Sequence, residues 1–458
     1  MRSAHSLLFY LRSFIDNSQP SDFNRLKIIH IAGTKGKGST SAFISSILAQ
    51  YLPSPSQPRP LLHKIGLYTS PHLRFVRERI QINNEPLSEE LFAKYFFEIW
   101  DRLEDAAKAR GLPADVTAKP VYFRFLTLMA FHTYLSEEVD TAVIECGVGG
   151  EYDTTNILTA PTVTGITSLG IDHVAMLGDT IEEIAWHKAG IMKSGATAFT
   201  SPQPTEALQV LKTRAIEKSV LLKVVDKNPA LSTVKLGLAA DFQVSNASLA
   251  IAVASAHLQA LGHPIASLPP DFCRGLQNVR WPGRCEIRRE ANISWHIDGG
   301  HTLESIKAAG AWFASQIHQD SSPASPRILI FNQQTRDADA LARALHRTLA
   351  TALHVESPFT HAVFCPNVTF RDVGYSPDLV SVNTNAHEVK QLDVQKRLAE
   401  TWRAVDVETE VAVVGTIEEA MERVRGIANR EGETKVKVLV TGSLHLVGGF
   451  LDVLERRL

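Results

Sequence analysis

Cysteine is scarce in this chain: four residues in 458, at positions 146, 273, 285 and 365. They lie far apart and form no CxxC pair, which excludes a secreted disulfide scaffold and fits reduced thiols. No apolar run reaches the ~18 residues of a membrane span. The longest candidate, Pro120 to Leu135, is interrupted by Arg124 and His132. Charge of one sign is also lacking. Lysine and arginine number 47 against 49 acids, a net charge of −2, so nothing calls for nucleic acid or an anionic membrane as partner. Hydrophobic residues make up 44%, enough for a sizeable core and too many for a disordered chain. There is no internal repeat, and the only biased tract is the Pro/Ser-rich stretch Leu52–Pro60.

A chain of this length accommodates about two or three domains. Met1–Ile15 carries two arginines and no acid, weakly like a mitochondrial targeting segment. An entry helix, with Leu7, Leu8, Leu11 and Ile15 on one face, is the favoured alternative. Strands are predicted over Lys27–Ala32, Thr141–Cys146, Thr162–Thr167 and Thr197–Thr200. Helices are predicted over Ala42–Tyr51, Glu89–Lys108 and Ile181–Ile191. The alternation points to a parallel sheet with helices on both faces. It restarts after residue 285. Strands are predicted at Ile293–Ile297 (the first of the second domain), Arg327–Phe331, His361–Phe364, Glu410–Val414 and Lys437–Val440. Helices are predicted at Leu303–Gln316, Ala338–Leu349, Val389–Trp402, Glu418–Asn429 and Leu444–Leu458. The joint is expected within Asn278–Glu286, where Pro282 and Gly283 break regular structure.

The strongest local signal is Gly33-Thr-Lys-Gly-Lys-Gly-Ser-Thr40, between a predicted strand and a helix starting near Ser39. Gly33, Gly36 and Gly38 let backbone N–H groups converge on phosphate oxygens, and the helix adds its positive end. Lys37 supplies a point charge for the β- and γ-phosphates. The standard GxxxxGK[ST] spacing is not met, because Gly38 intervenes before Ser39.

Four further segments carry chemistry. Ser70 precedes Pro71 and could donate an oxygen to a hard cation. Arg74, Arg77 and Arg79 behind it suit an anionic substrate, or simply form a solvated charged loop. Glu145 ends an apolar strand, where a carboxylate is costly unless paired or metal-bound. Strand ends are where open α/β sheets bind ligands, so Glu145 is either a Mg2+ ligand or a salt-bridged acid. Asp172 and His173 follow another strand, and Lys188 lies in an apolar stretch where a helix lysine would ordinarily snorkel. Arg284, Asp298 and His301 cluster near the joint and could complete an interdomain nucleotide site.

Together these segments resemble folylpolyglutamate synthase, a Mur-ligase-like family. The resemblance runs in order through Gly33–Thr40, Leu67–Asn83, Glu145–Asn156, Gly170–His173, His187–Lys193, Arg280–Glu286, Asp298–Thr302, Phe331–Leu341 and Thr441–Gly449. The stretches FNQQTRD and KIGLYTSPH look most like eukaryotic, particularly fungal, members. The implied fold is α/β: a P-loop-type parallel-sheet ATPase domain over residues 1–284, then a smaller Rossmann-like ligase domain over residues 285–458. The implied activity is ATP-dependent addition of L-glutamate to the γ-carboxylate of a folate tail through an acyl phosphate, giving ADP and phosphate. By the same resemblance Gly36, Lys37, Gly38 and Ser39 cradle the triphosphate. Ser70, Glu145 and His173 hold Mg2+, although nitrogen is an unusual donor for so hard a cation. Lys188 resembles the family's carbamylated lysine, which can hold a second Mg2+. Arg284 and Asp298 contact the nucleotide, and His301, with Ser443, helps place glutamate. The partners implied are folate and L-glutamate, without nucleic acid or stable membrane association. A monomer is expected, in the cytoplasm, with the mitochondrion as the alternative.

The chain departs from the family at Gly300, where alanine is usual, and in a short lead before Lys27. The rival readings are dihydrofolate synthase, a paralogue ligating an amino acid to a non-folate acid, and a non-catalytic nucleotide-binding protein.

Overall fold

The computed structural model describes residues 19–54, 60–111, 119–265, 267–318, 325–334, 336–371 and 391–456. The entry helix expected over Met1–Ile15 lies outside them. The chain divides into two compact units. The first holds the described residues up to His72, Arg77–Gly237 and Asp241–Arg280. The second holds Leu73–Val76, Leu238–Ala240 and the chain from Trp281 onward.

The first unit runs, in order, β1 (Ile29–Ala32), α1 (Lys37–Leu48), β2 (Ile65–Tyr68), β3 (Ile80–Ile82), β4 (Glu85–Pro86), α2 (Glu89–Ala109), α3 (Tyr122–Ser136), β5 (Thr141–Glu145), β6 (Val163–Ile166), α4 (Val174–Leu177), α5 (Ile181–Ala189), β7 (Thr197–Thr200), α6 (Thr205–Glu217), β8 (Leu222–Val224), α7 (Gln243–Ala260) and α8 (Pro270–Asn278). Its sheet has the order β4-β3-β2-β5-β1-β6-β7-β8. Pairing is parallel from β2 through β8; only β3 and β4 run antiparallel at one edge. The central strands are buried on both faces, which is why β1 and β5 read as near-continuous apolar runs.

α1 is buried from Ser39 to Leu48 and packs against α7 and α8. Gly275 allows the close approach of α8: a Cβ there would sit 2.6 Å from the Ile47 Cα. α2 is the contrasting amphipathic case. It buries Tyr95, Ile99, Leu103 and Ala107 at helical spacing, and Ser88 caps its start by accepting from Leu91 N–H. The apolar run weighed against a membrane span is α3, a buried core helix of 15 residues. Its His132 is 2.7 Å from the Glu98 carboxylate. Among the described residues no helix is long and apolar enough to cross a membrane.

The second unit runs β9 (Glu286–Glu290), β10 (Ile293–Ile297), α9 (Leu303–His318), β11 (Arg327–Phe331), α10 (Ala338–Leu353), β12 (His361–Phe364), α11 (Asp393–Val405), β13 (Glu410–Val413), α12 (Ile417–Arg430), β14 (Val436–Thr441) and α13 (Leu444–Arg456). The sheet order is β13-β12-β11-β14-β10-β9, parallel except for β9. Strand alternation feeds two cores. Ile328 and Ile330 join Trp295, Phe450 and Met421 on one face, while Leu329 and Phe331 join Phe313, Leu345 and Trp402 on the other.

One expectation is corrected: Ile293–Ile297 is not the first strand of this unit. The edge strand β9 precedes it, and its Glu-Ile-Arg-Arg-Glu sequence lacks an apolar face. Edge strands tolerate charge. Here Glu290 accepts two bonds from Arg425, of 2.8 and 3.1 Å, and another from the Trp295 indole.

Candidate functional site

In the first unit the site grows from the ends of β1, β2, β5 and β6. β1 stops at Ala32, and the chain turns at Gly33 (φ +148°) and Gly36 (φ +87°) into α1. Both turns need glycine. A Cβ at Gly33 would lie 1.8 Å from the Thr167 hydroxyl oxygen, and one at Gly36 would lie 2.3 Å from Asn246 Oδ1. Gly36 is the N-cap of α1, with no side-chain cap and no acid in the first turn. The helix therefore begins two residues earlier than the expected start near Ser39. Lys37, Gly38 and Ser39 form its first turn, where N–H groups lack intrahelical acceptors.

Lys37 places its ammonium 3.8 Å from Glu145 Oε1. Glu145 closes β5, which pairs with β1 with Ile31 opposite Glu145. Its side chain is almost wholly buried, and its other oxygen accepts the Ser70 N–H at 3.2 Å. Ser70 follows β2, and the Ser70–Pro71 bond is cis. The parallel register thus brings Lys37, Ser70 and Glu145 together.

Lys188, near the end of α5, does not snorkel. It is 3% exposed, and its amine donates to Gly33 O at 2.8 Å. Burial, helped by the Lys37 ammonium, pulls its pKa from 10.5 down to about 7. His173 takes a left-handed backbone conformation, φ +54°, as N-cap of α4. Its N–H donates to Asp172 Oδ1 at 3.0 Å, and Asp172 Oδ2 lies 3.0 Å from Lys35 Nζ.

Two of the three arginines after Ser70 face protein carboxylates. Arg74 pairs with Asp452 at 2.9 Å and with Glu455. Arg77 donates to the Leu87 carbonyl at 2.7 Å and pairs with Glu89 at 3.3 Å. Arg79 donates to His72 Nδ1 at 2.9 Å and covers the Tyr122 ring.

Three residues near the site were not singled out in the sequence: Gln243 and Asn246 lie in no motif, and Asp153 lies within the Glu145–Asn156 stretch. Gln243 and Asn246, from the first turn of α7, lie under the glycine loop: Gln243 donates to Ser39 Oγ at 3.3 Å, and Asn246 abuts Gly36. Asp153 is buried and pins the glycine turn behind Glu145, accepting the Val148 N–H at 2.9 Å and the Thr155 hydroxyl at 2.6 Å. Thr155 continues to His30, 2.8 Å away, which burial keeps neutral with a pKa of about 3.

In the second unit Asp298 follows β10. Its oxygens accept the Cys285 N–H at 3.0 Å and the Gly300 N–H at 2.9 Å. Burial raises its pKa, and the Arg284 guanidinium opposes the shift. Arg284 donates to the Gly283 carbonyl at 3.2 Å and borders Gly299. His301 Nδ1 is 2.9 Å from the Gly299 carbonyl oxygen, and its N–H donates to Ser305 Oγ at 3.0 Å. Ser443 caps α13, its Oγ accepting the His445 N–H at 3.2 Å. The adjacent Leu444 packs on Gly299. Arg284 thus lies beside the turn that carries Asp298 and His301, with Ser443 nearby.

Among the described residues no group of three or more His, Cys, Asp or Glu side chains is arranged to hold a metal ion. Glu145 and Ser70 nevertheless fit Mg2+ chemically. They are hard oxygen donors beside the glycine loop, and Mg2+ ordinarily takes one or two protein ligands, with phosphate and water completing its shell.

Known proteins match this chain along most of its length. The family model for the dihydrofolate synthetase C-terminal domain matches residues 284–453. Folylpolyglutamate synthase of Neurospora crassa is 48% identical over 441 residues, covering 95% of this chain and 82% of that protein. Folylpolyglutamate synthase of Saccharomyces cerevisiae is 48% identical over 448 residues, covering 95% and 78%. Among solved structures, the Thermotoga maritima folylpolyglutamate synthase superimposes with a TM-score of 0.70 at 24% identity, covering 100% of this chain and 93% of that one. The Mycobacterium tuberculosis folylpolyglutamate synthase complexed with ADP gives 0.71 at 23%, covering 99% and 94%. At such identities the structures speak to the fold, which is theirs. The two fungal sequences carry the rest: this chain belongs to the folylpolyglutamate synthase family.

Proposed function

We propose that this protein is an ATP-dependent ligase joining L-glutamate to the γ-carboxylate of a folyl-polyglutamate, with tetrahydrofolate forms as acceptors. The observation that carries this reading is the Lys37–Glu145 approach of 3.8 Å beneath a glycine turn, in a chain 48% identical to fungal folylpolyglutamate synthases.

The chemistry has two steps. A γ-carboxylate oxygen attacks the γ-phosphorus of ATP, and the bond to the β-phosphate oxygen breaks, leaving ADP and an acyl phosphate. The neutral amine of glutamate then attacks the acyl carbon, phosphate departs, and the nitrogen loses a proton. Three anions must approach one another, so the protein's task is cationic and positional.

Gly36–Ser39 offer N–H groups to the triphosphate. Lys37 stabilises charge on the transferring phosphoryl group. Glu145, with Ser70 and His173, would hold Mg2+, which supplies charge neutralisation at the phosphate oxygens. Lys188 is suited to carbamylation because only a neutral amine attacks carbon dioxide, and a pKa of about 7 leaves much of it neutral at physiological pH. The product N–H retains a donor for Gly33 O, and its new carboxylate suits a second Mg2+.

We assign ATP binding to residues 1–284 and glutamate ligation to residues 285–458. Arg284 and Asp298 are assigned to the nucleotide in addition, and His301 and Ser443 to glutamate. For Ser443 that role comes in addition to the helix cap it already forms.

The test supplies MgATP, labelled L-glutamate and either tetrahydrofolate or dihydropteroate, with products separated by chain length. Successively longer labelled folates, and no label on dihydropteroate, are expected. Label on dihydropteroate would make the protein a dihydrofolate synthase. No label on either would refute both ligase readings.

A further inference from the structure

Two lysines stand two positions apart on the phosphate loop and face different partners. Lys37 approaches Glu145, whereas Lys35 lies 3.0 Å from Asp172. We propose that Lys35 is a positioning residue for nucleotide binding: paired with Asp172 it anchors the phosphate loop, and its ammonium is not itself a phosphate ligand. The inference rests on reading Gly36–Ser39 as a phosphate cradle.

The loop is fastened to the end of β6 by a short ladder. The N–H groups of Thr34 and Lys35 both donate to the Ser168 carbonyl, at 3.0 and 3.1 Å. The Thr34 hydroxyl donates to the Gly170 carbonyl at 3.0 Å and accepts the Gly170 N–H at 3.1 Å. The Lys35–Asp172 pair is the last rung before Gly36 turns into α1. It is an ionic rung, and the other Asp172 oxygen takes the His173 N–H. An ion pair this accessible, with side chains 30% and 12% exposed, adds little to global stability. Its effect is local: it sets the height of the Gly36 turn and neutralises a carboxylate close to where phosphates would lie.

The test measures ADP affinity by calorimetry in EDTA, so that no metal contributes. Lys35→Met is expected to weaken ADP about tenfold, and Asp172→Asn by a smaller factor. The double variant should be no weaker than Lys35→Met alone, because neighbours acting as one unit are non-additive. The charge-reversed pair Lys35→Asp/Asp172→Lys should recover to within about threefold of the parent. Melting temperatures should stay within about 2 °C throughout. Unchanged ADP affinity in Lys35→Met, or losses that add with no recovery on charge reversal, would overturn the proposal; the second pattern would make Lys35 a direct phosphate contact. Lys37→Ala run in parallel separates the two readings: if it too leaves ADP affinity intact, the cradle itself is wrong.

Discussion

The amine of Lys188 donates a 2.8 Å hydrogen bond to the carbonyl oxygen of Gly33, the first residue of the glycine loop. A lysine 155 positions downstream thereby fixes the turn where β1 ends. Burial makes that contact electrostatically expensive whenever the amine is charged, and the nearby Lys37 ammonium adds to the cost.

The cost has a sign that can be measured. Lys188 loses its proton near pH 7 when folded and near 10.5 when unfolded. Between those values the unfolded chain holds the extra proton, so stability rises with pH; below about 7 both states are protonated and the dependence vanishes. Denaturant unfolding of the parent and of Lys188→Met, in buffers free of carbon dioxide, isolates the effect. The stability difference should move in the parent's favour from about pH 7 upward, by at most about 1.4 kcal/mol per pH unit. A difference that is flat with pH would mean Lys188 keeps an ordinary pKa.

Carbamylation makes its own demand. Lys188→Ala removes the amine and leaves room where the carbamate's carboxylate would stand. Short carboxylic acids such as acetate or formate should therefore restore part of the ligase activity, and Lys188→Met, which fills the space, should respond less. If neither acid restores any activity, the carbamate loses its support.

Lys37→Ala should lower kcat by about 100- to 1000-fold, the usual effect of removing a preorganised group from developing charge. The fold should survive, since Glu145 keeps the Ser70 N–H. A second consequence follows from the lysine pair: without the Lys37 ammonium, the Lys188 pKa rises from about 7, so the pH threshold in the unfolding experiment should move up. Near-normal turnover in Lys37→Ala would remove Lys37 from the chemistry.

What was legible in the sequence follows from how each residue is held. β11 and β12 were placed to the residue, because strands buried on both faces announce themselves as apolar runs. β9 was missed, because an edge strand built of charged residues carries no such signal. Lys37 was legible from the glycine loop and Glu145 from the end of an apolar strand, Ser70 was joined to Glu145 only through the family resemblance, and the parallel register supplies the physical reason they meet. Gln243 and Asn246 were not legible. They reach the loop from about 200 positions away, and their polar side chains at a helix start look like any solvated turn. The burial of Lys188 was hidden for a related reason: spacing cannot distinguish a lysine that snorkels from one capped by a distant carbonyl.

The departure at Gly300 should be nearly silent. A Cβ there would meet Ser305 O at 3.0 Å and Asp298 Oδ1 at 3.1 Å, contacts that a shift of a few tenths of an ångström relieves. Against that, alanine restricts the unfolded chain by roughly 0.4–1 kcal/mol. Gly300→Ala should thus change stability by less than about 1 kcal/mol and leave kcat unaltered. A large loss of activity would show that the Asp298 carboxylate tolerates no displacement.

Gly275→Ala should do the opposite, and the contrast separates packing from chemistry. Its Cβ would lie 2.6 Å from the Ile47 Cα, 2.9 Å from the Ile47 nitrogen and 2.9 Å from the Ser46 oxygen. All three are backbone atoms of α1, so no rotamer change can make room, and α8 must move off the helix it packs against. Overpacking of this kind costs about 1–3 kcal/mol. The bond from Ser46 Oγ to the Gly275 carbonyl, 2.7 Å long, should lengthen or break with it. Yet Ile47 lies about 15 Å along α1 from Lys37, at 1.5 Å per residue. The nucleotide end of the helix is far enough away that ADP affinity per folded molecule should hold. Denaturant unfolding and calorimetry on the same preparation decide it. A loss of ADP affinity matching the loss of stability would mean that α1 moves as one rigid rod, carrying the displacement at Gly275 through to the phosphate loop.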